Sequence, residues 1–364
     1  MKITEVKVST LSYPEGSSVA DATMAPKKSK GYTFVHILTD EGIEGLGIGK
    51  SAPGIKEIVE GIFAPILIGQ DPYDIEKLWD LMYWAIRSFG RKGVAFQAIS
   101  SVDISLWDLK AKSLNLPLYK LLGAYTDAVP IYGSGGWTNY TAEQLVREMT
   151  DYVDRGIPRV KMKVGKNFGK SEKEDLQRLE LVRKAVGDDI EIFVDANWGY
   201  YPKQAIMMAK QFENFNIGWF EEPTIADDIA GLSEIRHSIS MPLATGELEY
   251  SKYGFKELLY YGGCDIAQPD VGNVGGITEW LKITHIAHAF NIQIAPHAHQ
   301  LVHLHLGCAT PNLKVVEYMN TSLEIDRIFF NEFPQQKGGL WKPFHDKPGL
   351  GLELNPKAVE KWSV

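Results

Sequence analysis

The chain has almost no cysteine, no surplus of basic residues and no long apolar run, and each absence narrows what it can be. Cys264 and Cys308 are its two cysteines, and neither belongs to a CxxC pair. That leaves no disulfide framework and no thiolate zinc site, and makes a reducing cytoplasm the expected setting. The 38 Lys and Arg residues against 46 Asp and Glu give a formal net charge of −8, which argues against nucleic acid or an anionic membrane surface as the main partner. No run of about 18 apolar residues occurs, and the opening MKITEVKVST lacks an apolar signal core. A nucleotide-binding glycine loop is missing too. Gly45, Gly47 and Gly49 are spaced GxGxG on a strand-like segment, not GxGxxG at the start of a helix.

What is present is enough chain for a large α/β domain with an addition: 364 residues, 45% of them hydrophobic. Residues 2–12 and 32–39 alternate as strands, with a polar loop between them (13–30) that holds Lys27, Lys28 and Lys30. From 52 to 121 the pattern becomes helical. Thereafter eight short apolar strands are predicted, at 129–133, 160–164, 190–194, 217–220, 243–245, 265–268, 292–295 and 314–316, separated by amphipathic segments. That alternation predicts a (β/α) barrel, since the rival doubly wound sheet normally carries a glycine-rich first turn. The last forty or so residues, rich in Gly, Pro and aromatics, offer no further barrel unit and are expected to return to the amino-terminal part.

In a parallel barrel the chemistry lies at the carboxyl ends of the strands. Strand two reads RVKMKV, so Lys161 and Lys163 share one face. Either that face is solvated or it meets anions. Strand three ends at Asp195 with Asn197 two residues on, strand four at Glu221 and Glu222, strand five at Glu247. Any one of these is an ordinary loop-start acid. Together, Asp195, Glu221 and Glu247 on successive strands predict an oxygen-ligand site for a hard divalent cation, Mg²⁺ rather than zinc. Strand six ends at Asp270 and strand seven at His297, placed to form a carboxylate–imidazole dyad, and strand eight ends at Glu317. The segment PHAHQLVHLHLG also holds His299, His303 and His305, so a zinc-dependent hydrolase barrel is the competing reading, although the first strand, VPIYGSGGW, lacks the HxH it would need.

With these residues collected, the chain resembles the enolase superfamily, specifically its mandelate racemase subgroup. Lys161-Met162-Lys163 resembles the family's KxK motif, Asp195, Glu221 and Glu247 its metal ligands, Asp270 and His297 its dyad, Glu317 its last-strand acid, and Asn197 its DxN pairing. The resemblance implies a modified TIM barrel, (β/α)₇β, with an N-terminal α+β capping domain. The expected division is a cap at 1–122, a barrel at 123–324 and a returning segment at 325–364. It implies Mg²⁺ and a small carboxylate substrate that loses its α-proton to give an enediolate, with no nucleic acid or membrane partner and with self-association as a homo-oligomer. Lys161 would hold the substrate carboxylate, assisted by Asn197. Lys163, its pKa expected to fall beside Lys161 and the metal, would act as base, His297 would act on the other face, and Glu317, if protonated, would donate a hydrogen bond. Dehydration of a sugar acid to a 2-keto-3-deoxy acid is the expected outcome, with racemisation or epimerisation of an α-hydroxy acid as the alternative. The three loop lysines are expected to be solvated or to meet a second carboxylate.

Overall fold

A computed structural model describes residues 1–14, 19–26 and 29–364. Strand β1 (Ile3–Pro14) pairs antiparallel with β2 (Ser29–Thr39), which pairs with β3 (Glu44–Lys50). Strand β2 starts before the apolar run from Tyr32, so Lys30 belongs to a strand rather than to the expected loop; Lys27 and Lys28 lie outside the described residues. The alternate glycines of β3 have a packing reason. A Cβ on Gly47 would lie 1.9 Å from the carbonyl oxygen of Ser101, and one on Gly45 2.2 Å from that of Ser105. Bare backbone on one face lets the strand lie flush on a helix, which accounts for the GxGxG spacing without a cofactor.

That helix is α2 (Val94–Ser113), preceded by a helical segment at 55–67 and by α1 (Ile75–Ala85). Most of α2 is buried, because it is wedged between the cap sheet and the barrel. Asp103 accepts hydrogen bonds from the backbone N–H (2.9 Å) and hydroxyl (2.6 Å) of Thr278, and Trp79 Nε1 donates to the Gly275 carbonyl at 2.8 Å.

The barrel strands are β4 (Val129–Gly135), β5 (Arg159–Lys163), β6 (Glu191–Asp195), β7 (Ile217–Glu221), β8 (Leu243–Thr245), β9 (Ile266–Ala267), β10 (Gln293–Ile294) and β11 (Val316–Met319). They run parallel in that order, β11 pairs with β4, and a parallel bridge between Ile294 and Leu313 joins the remaining edges. The connecting helices are α3 (Ala142–Asp154), α4 (Glu172–Val186), α5 (Pro202–Phe212), α6 (Ile229–Ser238), α7 (Ser251–Tyr260), α8 (Gly276–Ala289) and α9 (Gln300–Cys308). The architecture is the (β/α)₇β barrel with an α+β cap. The helix after β11, α10 (Asn320–Phe329), turns to the cap instead, where Phe329 packs edge-on against Phe34 and Asp326 accepts from the Tyr32 hydroxyl at 3.1 Å. Further along, β12 (Gln336–Lys337) and β13 (Leu340–Trp341) form a hairpin that extends β4, and α11 (Pro356–Trp362) packs Trp362 edge-on against Tyr13 of β1.

Strand periodicity then lifts the site above a dry floor. Tyr132, Phe193, Trp219, Ala244, Ile266, Ala295 and Val315 form a separate buried cluster inside the barrel. Two residues beyond Phe193, Trp219, Ala295 and Val315 stand Asp195, Glu221, His297 and Glu317, which places the polar layer on the same face one step higher.

Candidate active site

The register aligns the site before any side chain is considered. Lys163 pairs with Asp195 and Asp195 with Glu221, so base candidate and two acids lie in one row across β5, β6 and β7. Glu247 joins them from the loop after β8. Asp195, Glu221 and Glu247 are all buried, and each offers an oxygen within 4.8 Å of the others. At that spacing two ionised carboxylates repel by about 3–4 kcal/mol for an effective dielectric near 20, so the trio needs positive charge, part of which Lys161 and Lys163 supply from one side. One oxygen of Glu247, Oε2, is buried without a hydrogen-bond donor. Three converging hard oxygens, one of them unsatisfied, fit a divalent ion of the Mg²⁺ type. Among the described residues this trio is the sole cluster of potential metal ligands, and the side chains of the histidine-rich segment do not converge into one.

Lys161 and Lys163 are both buried, not a solvated edge. Lys161 Nζ contacts Glu221, lies 3.1 Å from Glu317 Oε1 and 3.5 Å from Asp195 Oδ2, and sits over the Tyr132 ring. Burial pulls its pKa down, but Glu221 and Glu317 outweigh that and hold it well above the usual lysine range. Lys163 contacts Asp195 and lies 5.4 Å from the centroid of Trp137. Its expected fall in pKa depends on a cation that would take up the charge of the carboxylates beside it, and the protein's own charges act the other way. Burial and Lys161 lower it, but Asp195, Glu221 and Glu247 raise it further, for a net upward shift. Glu317 departs from expectation in position. It lies within β11 rather than at its end, accepts from the Ala298 N–H at 2.7 Å, and is held by Lys161 and His297, against its burial, far below the usual carboxylate range. In this arrangement it is an acceptor, and the protonation that donating a hydrogen bond would require is disfavoured.

On the other side, His297 Nδ1 is 3.0 Å from Asp270 Oδ2, and its Nε2 is 3.5 Å from Glu247 Oε2. Burial opposes its protonation, but Glu247, Asp270 and Glu317 push its pKa up to about 9. Asn197 donates its N–H to Asp195 Oδ1 at 2.9 Å and leaves its own amide oxygen buried without a donor. Glu222, the second acid of WFEEP, turns away through a left-handed φ of 43°. It accepts from Trp198 Nε1 at 2.5 Å, from Thr245 Oγ1 at 2.8 Å and from Gly246 N at 3.0 Å, so it braces the rim behind the carboxylate trio.

The remaining histidines have structural work. His303 meets Val271 N and Ala298 O, and His305 meets Tyr119 N and Leu350 O, all backbone. Three contributors were not apparent from sequence. His299 Nδ1 lies 2.8 Å from Asp270 Oδ1, and Lys50 Nζ, from the cap, lies 2.9 Å from Asp270 Oδ2. The third is Arg178, whose buried guanidinium donates to the carbonyls of Lys163 (2.9 Å), Gly136 and Trp137 (both 2.8 Å). A signal for Lys50 existed: it follows the glycine strand that must lie flush on α2, and it ends that strand. Residues 19–26 of the cap dock over this end, with Thr138 Oγ1 donating to Asp21 O at 2.8 Å and Thr23 Oγ1 to Asn197 O at 3.1 Å. A cavity of about 750 Å³ opens between cap and barrel, lined by His297 and His299 on one side and by Lys30, Tyr32, Lys50 and Gln97 on the other.

Residues 5–123 match a family model described as "Mandelate racemase / muconate lactonizing enzyme, N-terminal domain", and residues 144–358 match one described as "Enolase C-terminal domain-like". L-talarate/galactarate dehydratase of Salmonella typhimurium is 36% identical, covering 100% of this chain and 91% of that protein. Its crystal structure with Mg and L-lyxarohydroxamate matches with a TM-score of 0.93 at 36% identity, over 100% of this chain and 93% of that one. Arabinonate dehydratase of Saccharolobus solfataricus is 33% identical over 90% of this chain and 89% of its own length. D-Galactarolactone cycloisomerase of Agrobacterium fabrum is 30% identical over 100% and 99%.

Proposed function

The chain belongs to the mandelate racemase / muconate lactonizing enzyme family of the enolase superfamily, and from that membership we propose that it is a Mg²⁺-dependent hydro-lyase. It dehydrates a sugar acid, an aldonate or an aldarate, to a 2-keto-3-deoxy acid through an enediolate. The observation that carries this reading is the placing of two proton-transfer groups about one carboxylate trio: Lys163 at its Asp195 end and His297 at its Glu247 end.

Asp195, Glu221 and Glu247 would hold the ion, and when bound it supplies Lewis-acid polarisation of the substrate carboxylate, which acidifies the adjacent carbon. Lys161, fixed among three acids, faces the same carboxylate with a permanent positive charge where negative charge grows. Lys163 takes the α-proton and the C–H electron pair becomes the enediolate. That pair then expels the β-hydroxyl, which leaves as water with a proton from His297 Nε2, and the resulting enol tautomerises to the 2-keto acid. Asp270 on Nδ1 fixes the imidazole so that Nε2 is the transferring atom. Trp137 covers Lys163 and limits water at the base, and the unsatisfied amide oxygen of Asn197 is suited to accept a substrate hydroxyl.

Isomerisation shares the first proton abstraction, and the similarity to a cycloisomerase supports it as the second reading. A panel of aldonic, aldaric and α-hydroxy acids, incubated with protein and Mg²⁺ and read for keto acid by semicarbazide and for rotation by polarimetry, separates the two. Keto acid that disappears with EDTA is expected. Rotation change without keto acid would make the protein an isomerase, and inertness towards every acid would overturn the proposal. Two buried, unpaired cysteines suit a cytoplasmic setting, and the exposed apolar side chains of Phe168, Tyr201 and Ile225 around one groove support a homo-oligomer. Among the described residues no helix is long and apolar enough to cross a membrane.

A further inference from the structure

A base carried on the flexible four-carbon stem of a lysine is only as well placed as the strand end beneath it. Strand β5 stops at Lys163, and the chain leaves through Gly165 with a left-handed φ of 76°. Two residues near the start of α4 hold this exit. Asp175 accepts from Gly165 N at 2.9 Å and from the Tyr200 hydroxyl at 3.1 Å. Arg178, three residues on and so on the same helix face, donates through Nη1 to the carbonyl of Lys163 itself at 2.9 Å.

The same guanidinium crosses to the neighbouring strand. Its Nη2 donates to the carbonyls of Gly136 and Trp137, both at 2.8 Å, in the turn that follows β4. That turn is closely specified. Gly136 has a φ of 63°, a Cβ on it would lie 2.6 Å from Met162 Cβ, and its N–H is taken by Glu148 Oε2 at 2.7 Å. The Lys163 N–H completes the arrangement by donating to Gly136 O at 3.1 Å. Trp137 is buried, and the Lys163 ammonium lies 5.4 Å from its ring centroid. One side chain thus ties together the main chain of the base and the main chain of the ring that covers it.

Burying a charge among neutral dipoles opposes folding, and the hydrogen bonds of this buried guanidinium go to main-chain carbonyls rather than to a carboxylate. A neutral donor could satisfy one of the three carbonyls, whereas the planar fork serves all three at fixed separations. We propose that Arg178 is a positioning residue for proton abstraction: it sets Lys163 and Trp137 against each other through their main chain and acts through them, not on the substrate. This rests on the reading of Lys163 as the base. Misplacing a reacting group by about 1 Å costs about 10²-fold in rate, so loosening the clamp slows the step without weakening substrate binding.

Arg178→Lys keeps the charge and loses the fork, and Arg178→Met loses both. Each is compared with the parent as the full chain with Mg²⁺, on whichever acid of the aldonic, aldaric and α-hydroxy panel the parent acts on fastest. Proton NMR in D₂O follows loss of the α-proton signal, which counts exchange and dehydration together, and thermal unfolding is recorded alongside. Arg178→Lys is expected to unfold within a few degrees of the parent, to keep KM within about threefold and to lose about 10- to 10²-fold in kcat for α-proton loss. Arg178→Met loses at least as much. A merely structural role would lower the unfolding temperature and leave kcat per folded molecule unchanged. The proposal is overturned by full kcat in Arg178→Lys, by a rise in KM that accounts for the lost rate, or by failure of both variants to fold, which would make the residue a requirement of the barrel itself. A parent that removes the α-proton of no acid in the panel sinks the enediolate reading and this inference together. An active parent with equally active Arg178 variants sinks this inference alone.

Discussion

Asp270 shows how much of this site depends on single atoms. Its Oδ2 accepts from His297 Nδ1, and burial without the cations around it would make it a poor anion. Lys50, His299 and His297 instead hold its pKa well below the usual carboxylate range. Asp270→Asn replaces an acceptor with an amide that cannot hold both imidazoles in the same tautomer. We expect kcat to fall by about 10²- to 10⁴-fold with KM changed by less than about threefold, the loss of an oriented acid–base group. Steady-state kinetics on the best substrate checks this, and an unchanged kcat would remove Asp270 from the dyad. The acids of the site were legible because each terminates a short apolar run. Lys50 and His299 were not, because the first comes from a different domain and the second follows His297 through two left-handed residues, Ala298 and His299, whose φ values of 49° and 36° no spacing rule announces. The protonation of Lys163 and Glu317 is less legible, because in a buried cluster all the facing charges contribute and a bound cation would add its own.

Among the elements, α9 carries a second, purely structural use of histidine. Burial lowers the pKa of His303 and His305 to about 4 each, so both are neutral in the fold. Unfolded, they would titrate near 6.5, and the unfolded chain therefore binds more protons between about pH 6.5 and pH 4. Their stabilising contribution is complete above about 6.5 and is lost as pH falls towards 4, at roughly 3 kcal/mol per histidine. In urea titrations at steps across that range, His305→Gln is expected to lose stability less steeply than the parent by about 2–3 kcal/mol, whatever its stability at neutral pH. Parallel slopes would show that His305 does not titrate on unfolding. Strands and helices here were mostly readable from period and length. The exceptions are the start of β2 and the position of β11, where pairing with β1 and with β4 extends or shifts a strand beyond its apolar run.

For the whole molecule, the cap and barrel share a boundary made of fitted surfaces: glycine strand on α2, α2 on the first turn of α8, residues 19–26 over the ends of β4 and β6. The barrel was foreseeable from alternation, and the cap's contribution to the site was not, because it depends on how closely two packed units approach. The proposed reaction rests on one row of residues, Lys163–Asp195–Glu221, continued through Glu247 to His297. That row sets Lys163 and His297 on opposite flanks of the carboxylate trio, and the proposal is that the two act in sequence, as base and acid, on one substrate. Proton NMR of the sugar acid in D₂O with Mg²⁺ tests it directly. The parent protein should form keto acid, His297→Asn should exchange the α-proton with keto acid formation reduced by about 10²-fold or more, and Lys163→Ala should do neither. Full-rate keto acid from either variant, or exchange that survives in Lys163→Ala and vanishes in His297→Asn, would contradict the assignment of base and acid.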